Sequence, residues 1–126
     1  MKGPFYLAGA VEKSDTPDEW RDHVMYEYGY IDWTNPRDFS HLEGAELVEK
    51  CKNETLRSKG LLIWYEKDTP TWGTPQEQFM AYSNGIPCVV WTTDEEKNLP
   101  EFLKHHSHFR SPVLRECVQW LLKNRR

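Results

Sequence analysis

The chain has 126 residues, a formal net charge of −4 and an aromatic content of 13%. This length suits one hydrophobic core, so we predict a single domain over residues 1–126. The acidic balance lacks the basic surface that a polynucleotide partner requires, and the apolar runs are far shorter than the roughly 20 residues that span a bilayer, so nucleic-acid binding and membrane insertion are excluded from our expectations.

The first half of the chain alternates between strand and helix patterns. An apolar run over 4–11 predicts a buried strand, and the capping box at 16–19 predicts a helix that ends at Gly29. Residues 30–34 predict a second, short strand that leads into a turn. An apolar stripe over 42–57 predicts the second helix.

The second half continues the alternation. Residues 61–65 are apolar on both faces, which is typical of a central parallel strand. The capping box Thr74-Pro75-Gln76-Glu77 predicts a helix that ends at Asn84-Gly85, and residues 87–91 predict a fourth strand.

The C-terminal region begins with a charged stretch over 99–106 that has no clear pattern. It precedes a brief fifth strand near 108–110 and a last helix that starts at Ser111-Pro112. We therefore predict an α/β fold: one open parallel sheet of four to five strands with helices on both faces, a flavodoxin/Rossmann-like arrangement. Ligands of such sheets bind beyond the carboxyl ends of the strands.

The cysteine and histidine patterns give no metal or redox motif. The cysteines are odd in number and widely spaced, which predicts reduced thiols and a cytoplasmic protein. The histidines of the run 105–108 lack ligand spacing for zinc, so we predict no metal and no cofactor. The three cysteines are Cys51, Cys88 and Cys117.

Glu77 has two interpretations. Its spacing from Thr74 is that of a capping box, in which the carboxylate only stabilises the helix start. Its place after the third strand also brings it to the ligand-binding edge of the predicted sheet. Spacing alone favours the structural role.

Three motifs, in this order, change that balance: Phe5-Tyr6-Leu7-Ala8-Gly9, Gly73-Thr74-x-x-Glu77 and Gly85-Ile86-Pro87-Cys88-Val89-Val90. Together they resemble the nucleoside 2-deoxyribosyltransferase family, which includes related nucleotide N-glycosidases. The resemblance implies cleavage and transfer of the N-glycosidic bond of 2-deoxyribonucleosides through a glutamate-linked glycosyl-enzyme intermediate. Two alternatives stay open: a hydrolase of (deoxy)nucleoside 5′-monophosphates, and a non-catalytic nucleotide-binding or sensor domain.

The resemblance also implies the catalytic residues. Glu77 corresponds to the nucleophile, kept ionised by the helix N-terminus, and Tyr6 to the phenol that orients it. A family aspartate just before the Gly-Thr motif has no direct match, and we predict that Asp68, the nearest acid upstream, assists instead. A second family aspartate falls near Lys50 and Cys51 and has no match either.

The predicted substrate-binding residues come from the same loops. Gly9 allows close backbone approach to a sugar, Gly73 and Thr74 belong to the nucleophile motif, and Asn35 and Arg37 can contact a base edge or a phosphate or simply form a turn. Indoles at strand ends can stack on a nucleobase, although each suits the core equally well. The indole candidates are Trp33, Trp64 and Trp72. The implied partners are a small nucleoside or nucleotide, a nucleobase and a second copy of the chain, in a dimer or larger homo-oligomer.

Overall fold

The computed structural model describes residues 3–9, 19–67 and 73–126. The strands in these ranges are β1 (Phe5–Ala8), β2 (Trp33–Thr34), β3 (Leu61–Trp64), β4 (Cys88–Trp91) and β5 (Phe109–Ser111). They form one sheet in the order β2-β1-β3-β4-β5, and each neighbouring pair is parallel. The predicted open parallel sheet is confirmed, with the fifth strand included.

Helices alternate with these strands along the described chain. They are α1 (Glu19–Glu27), α2 (Gly44–Leu56), α3 (Gly73–Ser83), α4 (Glu101–His105) and α5 (Leu114–Asn124), with short 3-10 helices at Pro36–Phe39 and Glu96–Asn98. Gly85 follows α3 with a φ of 74°, a left-handed conformation that glycine adopts without strain, as expected for its role in ending that helix. The start of the first predicted helix, residues 16–18, lies outside the described residues.

Three element boundaries differ from the sequence predictions. The second strand is limited to the two residues that pair with β1, and Tyr30 lies outside it in an exposed turn. The last helix begins at Leu114 because Ser111 ends β5, where its hydroxyl accepts the N–H of Val113 at 3.0 Å. Helix α3 already includes Gly73, so Thr74 lies within its first turn rather than before it.

The core lies on both faces of the sheet because side chains alternate along each strand. The face covered by α1 and α5, here called the α1/α5 face, holds Phe5, Leu7, Trp20, Val24, Leu62, Val89, Leu114, Cys117, Val118 and Leu121. The opposite face, here called the α2/α3 face, holds Tyr6, Ala8, Leu61, Ile63, Ala81, Ile86, Cys88 and Val90. Helices therefore cover both faces, as predicted.

Among the described residues, every helix is too short or too polar to cross a bilayer.

Candidate active site

Tyr6 and Glu77 meet on the α2/α3 face of the sheet. The Tyr6 hydroxyl donates a short hydrogen bond to Oε2 of Glu77, 71 residues further along the chain. Tyr6 is fully buried and belongs to β1, which is paired on both sides, so the strand holds the phenol in place. The two residues that the sequence resemblance put together are thus in direct contact.

Glu77 is the fifth residue of α3 and is partly buried. Helix α3 packs against β1 and β3, which directs the Glu77 carboxylate to the sheet rather than to solvent. The capping-box interpretation placed Glu77 three residues after a cap at Thr74, but Thr74 is itself helical and buried. The observed partner of the carboxylate is a tyrosine of the sheet.

The electrostatics of Glu77 differ from the expectation that the helix N-terminus keeps it ionised. Burial raises the pKa of Glu77 from its ordinary value of 4.5 to about 7, although the Tyr6 hydrogen bond and the charge of Arg21 act in the opposite direction. Burial and the Glu77 charge also raise the pKa of Tyr6, which therefore stays protonated as a donor. A carboxyl with a pKa near 7 exchanges its proton at neutral pH.

Arg21 is a fully buried cation that the sequence analysis did not assign to the site. Its Nη2 donates to the backbone oxygen of Gly9 at 2.8 Å, and its guanidinium lies 4.5 Å from the ring centroid of Trp20. Its charge favours the ionised form of Glu77. Arg21 therefore connects α1 to the end of β1 by a hydrogen bond, and its positive charge also acts on the Glu77 carboxylate.

Gly9 is required by packing at the end of β1. A Cβ at this position would lie 2.6 Å from the Trp20 ring, which is too close for any larger residue without movement. The close approach at Gly9 is therefore made by an indole of the protein, and contact between Gly9 and a sugar stays a prediction. Gly73, by contrast, has open space around the position of a Cβ.

Cys51 of α2 is the other residue that the structure adds to the Tyr6–Glu77 pair. It is partly buried, and Glu77 and Tyr6 both act on the pKa of its thiol. Burial and then the charge of Glu77 raise the pKa of Cys51, whereas the Tyr6 hydrogen bond lowers it. The sequence signal was its position near an expected aspartate, where a thiol was not assigned a role.

Trp33 and Trp64 are not brought to Glu77. Both pack against the α1/α5 face, because they alternate with residues that point to the other side of the sheet. The Trp33 ring contacts Phe5, and its Nε1 donates to the oxygen of Tyr28 at 3.0 Å. Trp64 lies 4.5 Å from Trp91 between ring centroids. Of the two interpretations of these indoles, packing against the core is the one with observed contacts, and stacking on a nucleobase stays a prediction.

Asn35 and Arg37, which were also predicted to bind substrate, lie at the start of the 3-10 helix Pro36–Phe39. Asn35 caps the 3-10 helix at Pro36–Phe39, since its side-chain oxygen accepts the N–H of Arg37 at 3.0 Å. Its side-chain amide also contacts the sulfur of Met25, at 3.9 Å. The turn-forming interpretation of this segment is thus the one with observed contacts. Asp68 and Trp72 lie outside the described residues.

The histidines of the run 105–108 are engaged with aromatic rings. His106 makes edge contacts with Phe79 and Tyr82, and His108 stacks on Tyr82 with centroids 4.8 Å apart. Nδ1 of His108 also accepts the backbone N–H of Cys88 at 2.9 Å. In the part of the chain that the structure describes, no three His, Cys, Asp or Glu side chains are grouped for metal binding.

Comparisons by sequence find no match: neither a family model nor a curated protein corresponds to this chain. Solved structures do match. One, described as a 2-deoxyribosyltransferase from the psychrotolerant bacterium Bacillus psychrosaccharolyticus, is 13% identical with a TM-score of 0.75, covering 90% of this chain and 89% of its own. A 2-deoxyribosyltransferase from Leishmania mexicana is 20% identical with a TM-score of 0.59, covering 82% and 71%.

A third structure, a conserved protein from Enterococcus faecalis V583, is 19% identical with a TM-score of 0.58 and covers 98% of this chain and 89% of its own. Sequence identities of 13% to 20% at these TM-scores show that the chain shares its fold with these three proteins. The resemblance predicted from three short motifs is confirmed in the fold: this chain has the fold of the 2-deoxyribosyltransferases.

Proposed function

We propose that the chain cleaves the N-glycosidic bond of 2-deoxyribonucleosides and transfers the deoxyribosyl group to another nucleobase, with Glu77 as nucleophile. The observation that carries this proposal is the Tyr6–Glu77 hydrogen bond in a protein with the 2-deoxyribosyltransferase fold. A carboxylate held by one donor and backed by a buried cation is a suitable nucleophile for a glycosyl carbon.

The reaction has two balanced steps. In the first, a Glu77 oxygen bonds to the anomeric carbon, the carbon–nitrogen bond breaks, and its electron pair leaves with the base, which takes up a proton. In the second, a nitrogen of the acceptor base attacks the same carbon and loses its proton, and the ester electrons return to Glu77. This double displacement retains configuration at the sugar, as in retaining glycosidases.

Tyr6 and Arg21 act on the carboxylate in this scheme. The Tyr6 hydroxyl fixes one Glu77 oxygen and leaves the other to approach the sugar. Arg21 supports the ionised form against the effect of burial. Because the nucleophile must be ionised in the free enzyme, kcat/KM is expected to rise with pH through about 7 and to level off above it.

The test is an assay of base release and base exchange by chromatography. The protein is incubated with each 2-deoxyribonucleoside, with and without a free acceptor base, and in parallel with the matching 5′-monophosphates. Base exchange supports the transferase. Release without exchange, or turnover of monophosphates alone, supports the hydrolase, and tight binding without product supports a non-catalytic nucleotide-binding domain.

Glu77→Ala is the decisive variant. We expect turnover to fall at least about a thousandfold, because removal of a covalent nucleophile leaves only binding and orientation. The control is Gln76→Ala, which changes an exposed side chain next to Glu77 on the same helix. Equal activity in the two variants would remove Glu77 from the mechanism. Intact mass of the protein after mixing with substrate checks for the sugar ester.

A further inference from the structure

Tyr65 continues the path of β3 beyond its last residue, Trp64. Its backbone N–H donates to the oxygen of Trp91 at 3.2 Å, so the pairing of β3 with β4 extends one residue further towards the carboxyl edge of the sheet. Two residues later, the N–H of Lys67 donates to Oδ2 of Asp94 at 3.1 Å. The backbone that carries the Tyr65 ring is therefore tied to β4 and to the loop that follows β4.

Trp64 and Tyr65 are neighbours in sequence but lie on opposite faces of the sheet. Trp64 packs against the core of the α1/α5 face, whereas Tyr65 packs against the core of the α2/α3 face. This is the alternation of a strand, and Ile63 shares the face of Tyr65. The hydrogen bond from Tyr6 to Glu77 is on that same face. Of the two rings at the end of β3, Tyr65 is the one on the side of the candidate active site.

The strand register places Tyr65 nearer than Tyr6 to the edge where ligands bind. Tyr6 pairs with Leu61, and Ala8, the last residue of β1, pairs with Ile63. Tyr65 is the next residue of the same face, about 7 Å further along the strand than Ile63 and past the end of β1. Ligands of open parallel sheets bind beyond this end. Tyr65 therefore lies on the ligand-binding side of Tyr6.

The Tyr65 side chain is partly buried, so that it packs on the core and still keeps accessible surface. A ring that is already held by its backbone and by packing loses little conformational freedom when a planar ligand stacks on it. Every nucleobase has a π face, and stacking on one aromatic side chain is worth about 5- to 150-fold in affinity. The Tyr65 ring thus has the chemistry and the rigidity of a stacking surface.

We propose that Tyr65 is the stacking surface for the nucleobase: a nucleoside whose sugar is at Glu77 places its base on the Tyr65 ring at the carboxyl end of β3. This inference rests on the proposed function, because the base is that of the nucleoside which Glu77 attacks. The two-ring purines offer more stacking area than the pyrimidines. Tyr65 is therefore also a specificity-determining residue, and it favours purine nucleosides.

The first experiment measures dissociation constants for 2′-deoxyadenosine and thymidine by NMR titration, in a Glu77→Ala background that does not consume the ligand. The reference ligand is 1,2-dideoxyribose, which has a sugar but no base. Tyr65→Phe keeps the ring, and Tyr65→Leu removes it. Tyr82→Leu is the matched control, because Tyr82 is a partly buried tyrosine on the core of the same face but lies in the last turn of α3, stacked on His108. Circular dichroism checks that each variant is folded.

We expect Tyr65→Leu to raise the Kd of 2′-deoxyadenosine about tenfold and that of thymidine about threefold, since the purine loses more stacked area. Tyr65→Phe and Tyr82→Leu should each keep both constants within about twofold. The affinity for 1,2-dideoxyribose should be the same in all variants. Unchanged nucleoside affinity in Tyr65→Leu, or an equal loss in Tyr82→Leu, would overturn the inference.

The second experiment detects the contact itself and does not require removal of the ring. In protein with labelled tyrosine rings, saturated with 2′-deoxyadenosine, the base protons should show nuclear Overhauser effects to the ring protons of Tyr65. Tyr65→Phe assigns these signals. Contacts from the base to other tyrosine rings, without any to Tyr65, would contradict the proposal even if Tyr65→Leu failed to fold.

The base-exchange assay of the wild-type protein decides the proposed function separately. Base exchange together with unchanged nucleoside affinity in Tyr65→Leu would keep the proposed function and reject the role of Tyr65. Nucleoside binding without turnover would reject the transferase, and the Tyr65 affinities and ring contacts would still decide what the base stacks on. A protein that binds neither nucleoside would reject both.

Discussion

The two faces of the sheet have opposite characters although they share the same strands. The α1/α5 face is an apolar and aromatic core, with Leu7 and Leu62 fully buried and Trp64 and Trp91 in ring contact. The α2/α3 face contains aliphatic residues as well, but one end of it holds the Tyr6–Glu77 hydrogen bond. Adjacent residues of β1 thus serve packing and the candidate active site.

The difference between the faces shows that neighbouring residues of one strand can belong to the core and to the candidate site. Phe5 and Leu7 point to one helix layer and Tyr6 to the other, because successive side chains of a strand alternate. Helix α3 then supplies a carboxylate to the tyrosine. Changes in the apolar core of the α1/α5 face should therefore alter stability alone, whereas changes on the other face, or at Arg21 of α1, should alter the titration and chemistry of Glu77.

The largest effect on stability is expected from Leu62→Ala on the α1/α5 face. Leu62 is fully buried in β3, so its truncation should lower the free energy of unfolding by about 3 kcal/mol through lost burial and a cavity. Urea denaturation measures this loss. The Glu77 titration should be unchanged in the folded variant, and a shifted titration would show that the two faces are coupled.

Glu77→Gln tests the other face through the pH dependence of stability. Burial raises the pKa of Glu77 from 4.5 to about 7, so its stabilising contribution is complete below pH 4.5 and is lost as pH rises through 7. Glutamine does not titrate. Relative to wild type, Glu77→Gln should therefore gain about 3 kcal/mol of unfolding free energy between pH 4 and pH 8.

Urea denaturation at both pH values gives that difference for Glu77→Gln. The control is Glu46→Gln, which replaces an exposed carboxylate of α2. A relative stability of Glu77→Gln that is the same at pH 4 and pH 8 would mean that the Glu77 carboxyl titrates alike in the folded and unfolded chains.

Tyr6→Phe removes the donor from the same pair while keeping the ring. We expect kcat to fall about 10- to 100-fold, which corresponds to a lost hydrogen bond to a charged group. The rise of kcat/KM with pH should move to a higher pH, because the Tyr6 hydrogen bond lowers the pKa of Glu77. A pH profile identical to that of the wild type would mean that the Tyr6 hydroxyl does not change the pKa of Glu77.

The fold could be predicted largely from sequence because its signals are local. Short apolar runs between helical patterns predicted the strands, and the parallel sheet followed from their alternation. The short helix α4, within the charged stretch over 99–106, was not predicted from the sequence. None of its residues is buried, and no apolar stripe marks it. Pattern reading detects elements through the faces that they bury.

The candidate site was predicted only in part, because its contacts join distant residues. Tyr6 and Glu77 were paired through a resemblance, since no local pattern relates positions 71 residues apart. Arg21 and Cys51 were missed as site residues because a buried arginine and a helical cysteine look ordinary in sequence. For Trp33 and Trp64, nucleobase stacking and core packing both stayed open, because a strand-end position does not reveal which face the side chain takes.

Trp64→Phe should have the smallest effect on activity and therefore gives the strictest test of the two-face comparison. Trp64 packs with Trp91 on the α1/α5 face, so the smaller ring should cost only about 1 kcal/mol of stability and leave the KM for a nucleoside within about twofold. Steady-state kinetics with several nucleosides measures this. A large rise in KM would mean that the indole stacks on the base after all, and that the substrate reaches the edge of the α1/α5 face while its sugar is held at Glu77.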